Sequence, residues 1–153
     1  MKKIDRVIIG SGIFGLYAAL QSLKKGYSAL ILERDKNTFM RASFVNQARV
    51  HNGYHYTRSY NTAKKSREYF LKFIKDYEFA ILKKFKKIYA VSTKFSYVNN
   101  EQFVKFCEIA KIPCSSIIPD KYFKKGLCSG AFEVEEYTFD AKKNPFIFNR
   151  TIK

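Results

Sequence analysis

Within sixteen consecutive positions the chain sets Ser43, Asn46, His51, His55, Tyr56 and Arg58, and these two histidines are the only ones in its 153 residues. Imidazole changes charge near neutral pH, so His51 suits polarising a bound reactant; it serves equally well as a hydrogen-bonded structural histidine. His55, Tyr56 and Arg58 form a second group. A guanidinium pairs with a carboxylate through two parallel hydrogen bonds, so this group suits capture of a substrate carboxylate, or else a charged loop turning into a helix. Asn46 can bond a ligand or backbone. The three cysteines, Cys107, Cys114 and Cys128, form no CxxC pair and no zinc-type spacing with the histidines, so no metal centre is expected.

A second constellation precedes this one. Val7-Ile8-Ile9 runs into Gly10-Ser11-Gly12-Ile13-Phe14-Gly15, a helical pattern follows, and Ala29-Leu30-Ile31-Leu32 ends at Glu33-Arg34. Strand, GxGxxG, helix, strand and acid, in that order, are the parts of a dinucleotide-binding βαβ unit. Gly10 permits the turn out of the strand, Gly12 lets backbone approach a pyrophosphate, and Gly15 lets the helix lie close on the sheet. The helix N-terminus offers N–H groups and a partial positive charge to the anion. Glu33 suits ribose hydroxyls and argues against a 2′-phosphate. Arg41 and Ser43 suit phosphate contacts or loop structure.

The elements that position these residues follow from periodicity. Residues 4–9 read as a strand buried on both faces of a parallel sheet, and residues 28–32 as a second strand parallel to it. The helix between them, about 13–25, places Ile13, Leu16, Tyr17, Leu20 and Leu23 near one face. Residues 34–60 show weak periodicity and read as a long functional loop. A helix over about 61–77 carries Ser66, Tyr69, Phe70, Phe73, Ile74 and Tyr77 on one face. Ile88–Thr93 reads as a strand. Asn99 or Asn100 caps a further helix with Phe103, Phe106, Cys107 and Ala110 inward, which Pro113 stops. Residues 130–139 read as one strand, with a phase shift at Glu135-Glu136 expected to be a bulge.

Lys and Arg number 29 against 13 Asp and Glu, a formal charge of +16. Such a field attracts anions of many kinds, including nucleic acid and anionic membranes. The lysines lie in separate pairs such as Lys64-Lys65, Lys83-Lys84 and Lys124-Lys125, which favours a solvated lysine-rich surface over a basic arm. The odd cysteine count suits free thiols in a reducing compartment. No segment has the roughly 20 apolar residues of a membrane span, and a cytoplasmic protein is expected.

With these residues in place, the chain resembles the N-terminal part of FAD-dependent oxidoreductases of the D-amino-acid oxidase type. Gly10 to Gly15, Glu33-Arg34 and the order Ser43-x-x-Asn46-x-x-x-x-His51-x-Gly53-x-x-Tyr56 carry the resemblance, which is nearest to the 2-hydroxyglutarate oxidase branch and covers about residues 4–59. The resemblance implies an α/β fold: a Rossmann-like FAD-binding βαβ unit with its flavin-proximal loop over residues 1–60, then the start of an α+β substrate domain over 61–153. It implies FAD held by Gly10, Ser11, Gly12, Ile13, Phe14, Gly15, Glu33, Arg34, Arg41, Ser43 and Asn46. His51, His55, Tyr56 and Arg58 then stand toward flavin and substrate, a small amino or hydroxy acid oxidised by hydride transfer.

Complete enzymes of that type are more than twice this long and return to the flavin near their C-terminus. The expectation is therefore a truncated chain that has little activity alone and is completed by a partner chain or homo-oligomer. One edge of the Val7–Ile9 strand would lack a neighbour, and Asn144–Lys153 shows no closing strand. Two other readings stay open: an NAD-dependent oxidoreductase fragment, and a basic nucleic-acid-binding module using interleaved aromatics such as Tyr69-Phe70-Leu71-Lys72-Phe73. No nucleic-acid-binding motif is present, which disfavours the latter.

Overall fold

Asp5 and Ser28 set the register of the first two strands. The Asp5 carboxylate accepts the Ser28 N–H at 2.9 Å and its hydroxyl at 2.6 Å, while the Asp5 N–H donates to Ser28 Oγ at 3.0 Å. From there β1 (Arg6–Ile9) and β2 (Ala29–Leu32) run parallel, Arg6 opposite Ala29 and Ile9 opposite Leu32. Helix α1 (Ile13–Lys24) joins them, with Lys24 in its negative last turn. The computed structural model describes residues 3–140 and residue 143, and its chain divides into two compact units. One comprises the residues up to Ala48 with those from Phe139 onward; the other is Arg49–Thr138.

In the first unit, the expected burial of both sheet faces is not found. Val7, Ile9, Leu30 and Leu32 are exposed. Side chains alternate between the faces of a strand, and α1 covers the face that carries Ile8 and Ile31. Among the described residues β1 pairs only with β2, so the edge expected to lack a neighbour does lack one there. The buried stripe of α1 is Leu16, Ala19 and Leu20, while Tyr17 and Leu23 are exposed; a helix lying on two strands buries a narrower stripe than one on a full sheet. The segment expected to be one loop contains a short helix, α2 (Ala42–Val45), and passes into β3 (Arg49–Val50).

The second unit packs two helices with an antiparallel sheet. Helix α3 (Tyr60–Tyr77) buries Ala63 and Phe70 and leaves Tyr69 exposed. A short strand, β4 (Ile81–Leu82), precedes β5 (Lys87–Ser92). Helix α4 (Asn100–Ala110) begins at a capping box in which Asn99 and Gln102 exchange side-chain-to-backbone bonds, and it buries Phe103, Phe106, Cys107 and Ala110 as its spacing predicts. It ends at Lys111, whose left-handed φ of 55° precedes Pro113. Strands β6 (Cys114–Ile117) and β7 (Cys128–Val134) complete a sheet of order β5-β7-β6. Tyr54, Val91, Phe132 and Val134 join the α4 residues in the core.

Residues 130–139 are not one bulged strand. β7 ends at Val134, and β8 (Tyr137–Phe139) belongs to a different sheet, of order β3-β8-β4. The phase shift at Glu135-Glu136 is the crossing between the two sheets, and it turns Glu136 fully inward. A register irregularity does occur, at Val91/Ser92 in β5. No helix among the described residues is long and apolar enough to cross a membrane. Asn144–Lys153 lies outside the described residues.

Gly15 marks where α1 meets the loop before it. A Cβ on Gly15 would lie 2.0 Å from the Gly10 carbonyl oxygen, which no side chain tolerates. Gly15→Ala is therefore expected to destabilise the unit by roughly 3 kcal/mol. Gly10→Ala, where φ is +93° but space is open, should cost about 1 kcal/mol. Thermal unfolding of the two variants checks the difference; equal losses would contradict the close approach.

Candidate functional site

The glycine loop, the end of β2 and the start of α2 enclose a cavity of about 560 Å³, lined among others by Gly10, Gly12, Phe14, Glu33, Arg34 and Arg41. Ile13, Gly15 and Ser43 also line it. Gly12 is the residue before α1 and offers no side-chain cap. The Ile13 N–H donates to Ser43 Oγ at 3.0 Å, and the Phe14 and Gly15 N–H groups meet no acceptor among the described residues. The cavity thus faces helix N–H groups that lack partners, the arrangement that accepts an anion.

Glu33 organises this loop. Its Oε2 accepts both the N–H and the hydroxyl of Ser11 at 2.6 Å, and Oε1 accepts the Asp35 N–H at 2.9 Å. The Asp35 backbone bond, followed by those from Ser11, lowers the Glu33 pKa to about 2, so the group is ionised at neutral pH. The Arg34 N–H adds a weaker contribution to the same carboxylate. Ser11 itself is buried and acts through Glu33. Arg41 forms a bidentate pair with Asp35 at 2.7 and 2.9 Å. Asn46 is not among the cavity-lining residues; its Oδ1 accepts the Gln47 N–H.

In the second unit, His51 and His55 are brought together around Glu136, a carboxylate with no exposed surface. Arg49 donates to Glu136 Oε2 at 2.7 Å, Tyr89 donates to the same oxygen at 3.0 Å, and the Asn52 N–H donates to Oε1 at 3.0 Å. His51 Nδ1 lies 3.6 Å from Oε1, and the His55 and His51 rings meet edge to face at 5.1 Å. His55 Nε2 lies 2.7 Å from the Tyr89 hydroxyl. That hydroxyl has one proton, and the anionic Glu136 is the stronger acceptor, so His55 Nε2 donates and Nδ1 keeps its lone pair. Burial, and then the charge of Arg49, hold the His55 pKa below its ordinary value, which keeps the imidazole neutral and able to take a proton.

Gly53 is required here for a packing reason. Its φ is +104°, and a Cβ would lie 2.8 Å from the Ala63 carbonyl oxygen of α3. The backbone thereby lies against the helix, and Tyr54 is buried with its hydroxyl bonded to the Pro113 carbonyl oxygen. Tyr56 is exposed and lies outside the Glu136 network. Arg58 places its guanidinium 4.2 Å above the ring of Tyr97.

His51, His55 and Glu136 present ligand atoms within 4.8 Å of one another. The carboxylate is already answered by Arg49, Tyr89 and Asn52, and the guanidinium disfavours a cation beside it. The group reads better as a hydrogen-bonded network than as a metal centre. Sequence reasoning missed Glu136 and Tyr89; the signal available for Glu136 was the break in alternation at Glu135-Glu136.

Comparison with known proteins settles the family. Residues 5–115 match the DAO family, described as FAD dependent oxidoreductase. The chain belongs to this family. The DAO-family chain is 31% identical over 114 residues to the FAD-dependent monooxygenase FPY4 of Fusarium mangiferae, an alignment covering 74% of this chain and 31% of that protein. In fold it is similar to L-α-glycerophosphate oxidase from Mycoplasma pneumoniae, solved with FAD bound (TM-score 0.64, 16% identity, 92% of this chain and 40% of the other). It is similar also to L-amino acid deaminase from Proteus vulgaris (TM-score 0.63, 15% identity, 96% and 41%). The chain therefore spans about a third of the length of the curated relative it matches.

Two outcomes are expected of the Glu136 network. Removing Arg49 leaves a carboxylate without its charge partner in a dry site. Arg49 keeps 23% of its side-chain surface exposed against 0% for Glu136, so Arg49→Leu should cost about 3 kcal/mol in urea unfolding, at the low end for a broken buried pair. The Arg49→Leu, Glu136→Gln double variant should lose less than the sum of the single changes. Second, His55 should titrate below its ordinary value of 6.5 in histidine NMR, with the proton on Nε2 in the neutral form. The unfolded chain then takes up this proton first, so His55 lowers stability as pH falls below 6.5; a His55 that titrates above 6.5 would contradict the geometry.

Proposed function

We propose that this chain forms the FAD-binding part of an oxidoreductase that oxidises a small amino or hydroxy acid by hydride transfer to flavin. The observation that carries the reading is the cavity bounded by the glycine loop, Glu33, Arg41 and Ser43, into which α1 presents the Phe14 and Gly15 N–H groups, which meet no acceptor among the described residues. Membership of an FAD-dependent family supports FAD over NAD as the occupant.

The residues suit the parts of that cofactor. The N–H groups of Ile13, Phe14 and Gly15 would hold the pyrophosphate, with Ser43 yielding the Ile13 N–H or donating its own hydroxyl. Glu33 would accept a ribose hydroxyl, and Arg34 and Arg41 would add positive charge near the phosphates. Asn46 would bond the cofactor or the adjoining backbone. FAD, when bound, supplies the hydride acceptor. His51 and His55 would stand at the reacting end. Neutral His55 offers Nδ1 to a substrate N–H or O–H proton, and the Glu136–Tyr89 pair holds its Nε2. Among the described residues Arg58 makes no ion pair while its face lies on Tyr97, so it would be able to pair with a substrate carboxylate, with Tyr56 near it in sequence.

Mixing the purified chain with FAD, removing the excess and recording the visible spectrum tests the reading. A retained, shifted flavin band is expected. Glu33→Ala frees the Ser11 and Asp35 N–H groups and removes the ribose acceptor, and should weaken FAD retention roughly tenfold. A folded chain that retains NAD and no flavin would overturn the assignment.

A further inference from the structure

One end of the β5–β7 pair carries an exposed aromatic and basic patch, of which the proposed function uses only Arg58, stacked on Tyr97. Thr93, just past β5, donates through N–H and Oγ1 to the Leu127 carbonyl oxygen at 3.0 and 3.2 Å, and through Oγ1 to that of Gly126 at 3.0 Å. These bonds bring the turn after β5 beside the segment that leads into β7. Phe95 in that turn is 100% exposed, Tyr97 is 80% exposed and Leu127 is 56% exposed. Phe95 has φ +59°, a conformation costly for a bulky residue and unexplained by any packing of its ring. A glycine or asparagine would suit that backbone better.

The charge in the sequence around these residues is mostly positive, with Asp120 among the lysines and Glu101 after the turn. Lys94, Lys121, Lys124 and Lys125 flank them, and Asp120 is the one acid within residues 92–98 and 119–127. None of the four lysines forms an ion pair among the described residues. One face of the Tyr97 ring is covered by the Arg58 guanidinium at 4.2 Å, and Lys121 Nζ stands 5.8 Å from the centre of the Tyr122 ring. Phe95 and Leu127 are the wholly apolar members of the patch, and Leu127 has no π-face on which a base could stack. They suit the headgroup level of a lipid surface, where an aromatic enters the apolar boundary and ammonium groups meet anionic lipid.

We infer that this patch docks the protein peripherally on an anionic membrane surface, with Phe95 entering the interface and the lysines holding the charge. The test uses the full chain and phosphatidylcholine vesicles with and without phosphatidylserine. Co-sedimentation should require phosphatidylserine and be released by salt. Lys124→Gln and Lys125→Gln should each lower partitioning roughly fivefold. Phe95→Gly relieves the left-handed backbone and loses no packing, so its thermal midpoint should hold or rise while vesicle binding falls. Equal sedimentation with both vesicles, a Phe95→Gly variant that binds like the parent, or release from vesicles by a single-stranded oligonucleotide that itself binds through Phe95 would each overturn the inference.

Discussion

A carboxylate with no contact with water must be answered by donors on every side, and Glu136 is such a group. Leaving it unanswered would cost several kcal/mol. Its partners come from distant parts of the sequence: Arg49 and the Asn52 backbone from the segment around β3, and Tyr89 from β5. The demand of one side chain for charge and hydrogen bonds therefore ties the histidine-bearing segment to the two sheets of its unit. The crossing between β7 and β8 turns Glu136 inward, where these donors meet it. Gly53 reinforces the arrangement, since only a residue without a side chain lets the backbone lie against α3 at Ala63.

The first unit uses the same device with a different exposure. Glu33 gathers the N–H groups of Ser11 and Asp35 and so shapes the glycine loop, and Gly15 lets α1 lie against the carbonyl of Gly10. In both units a carboxylate positions loop backbone, and the neighbouring groups with remaining hydrogen-bonding capacity are the candidates for function. The N–H groups at the start of α1 and Nδ1 of His55 are such groups. The charge pair Asp35–Arg41 engages one of the cations at the cavity, which leaves the helix N–H groups as the readier donors to an anion.

The parts legible in the sequence were those governed by local rules. The GxGxxG loop, the parallel pair that flanks it and the acid after β2 follow from neighbouring residues, and so does α4, whose capping box and apolar stripe agree. The extent of burial was not legible. Val7 and Ile9 read as buried because a run of apolar residues resembles a central strand, yet burial depends on what lies over each face. Tyr69 and Tyr17 fit helical stripes but lie at their edges, where the partner surface ends.

Sequence alone determined the family, the glycine loop and the pairing of chemistry-bearing residues with a nucleotide-type βαβ unit, because these rest on residues near one another in the chain and on steric needs that only glycine meets. Tertiary structure alone decided that Glu136 and Tyr89, more than 80 and more than 30 residues past the histidines, complete the network around them. A buried charge recruits its partners by proximity in space, and no local pattern records which distant tyrosine or arginine will answer it.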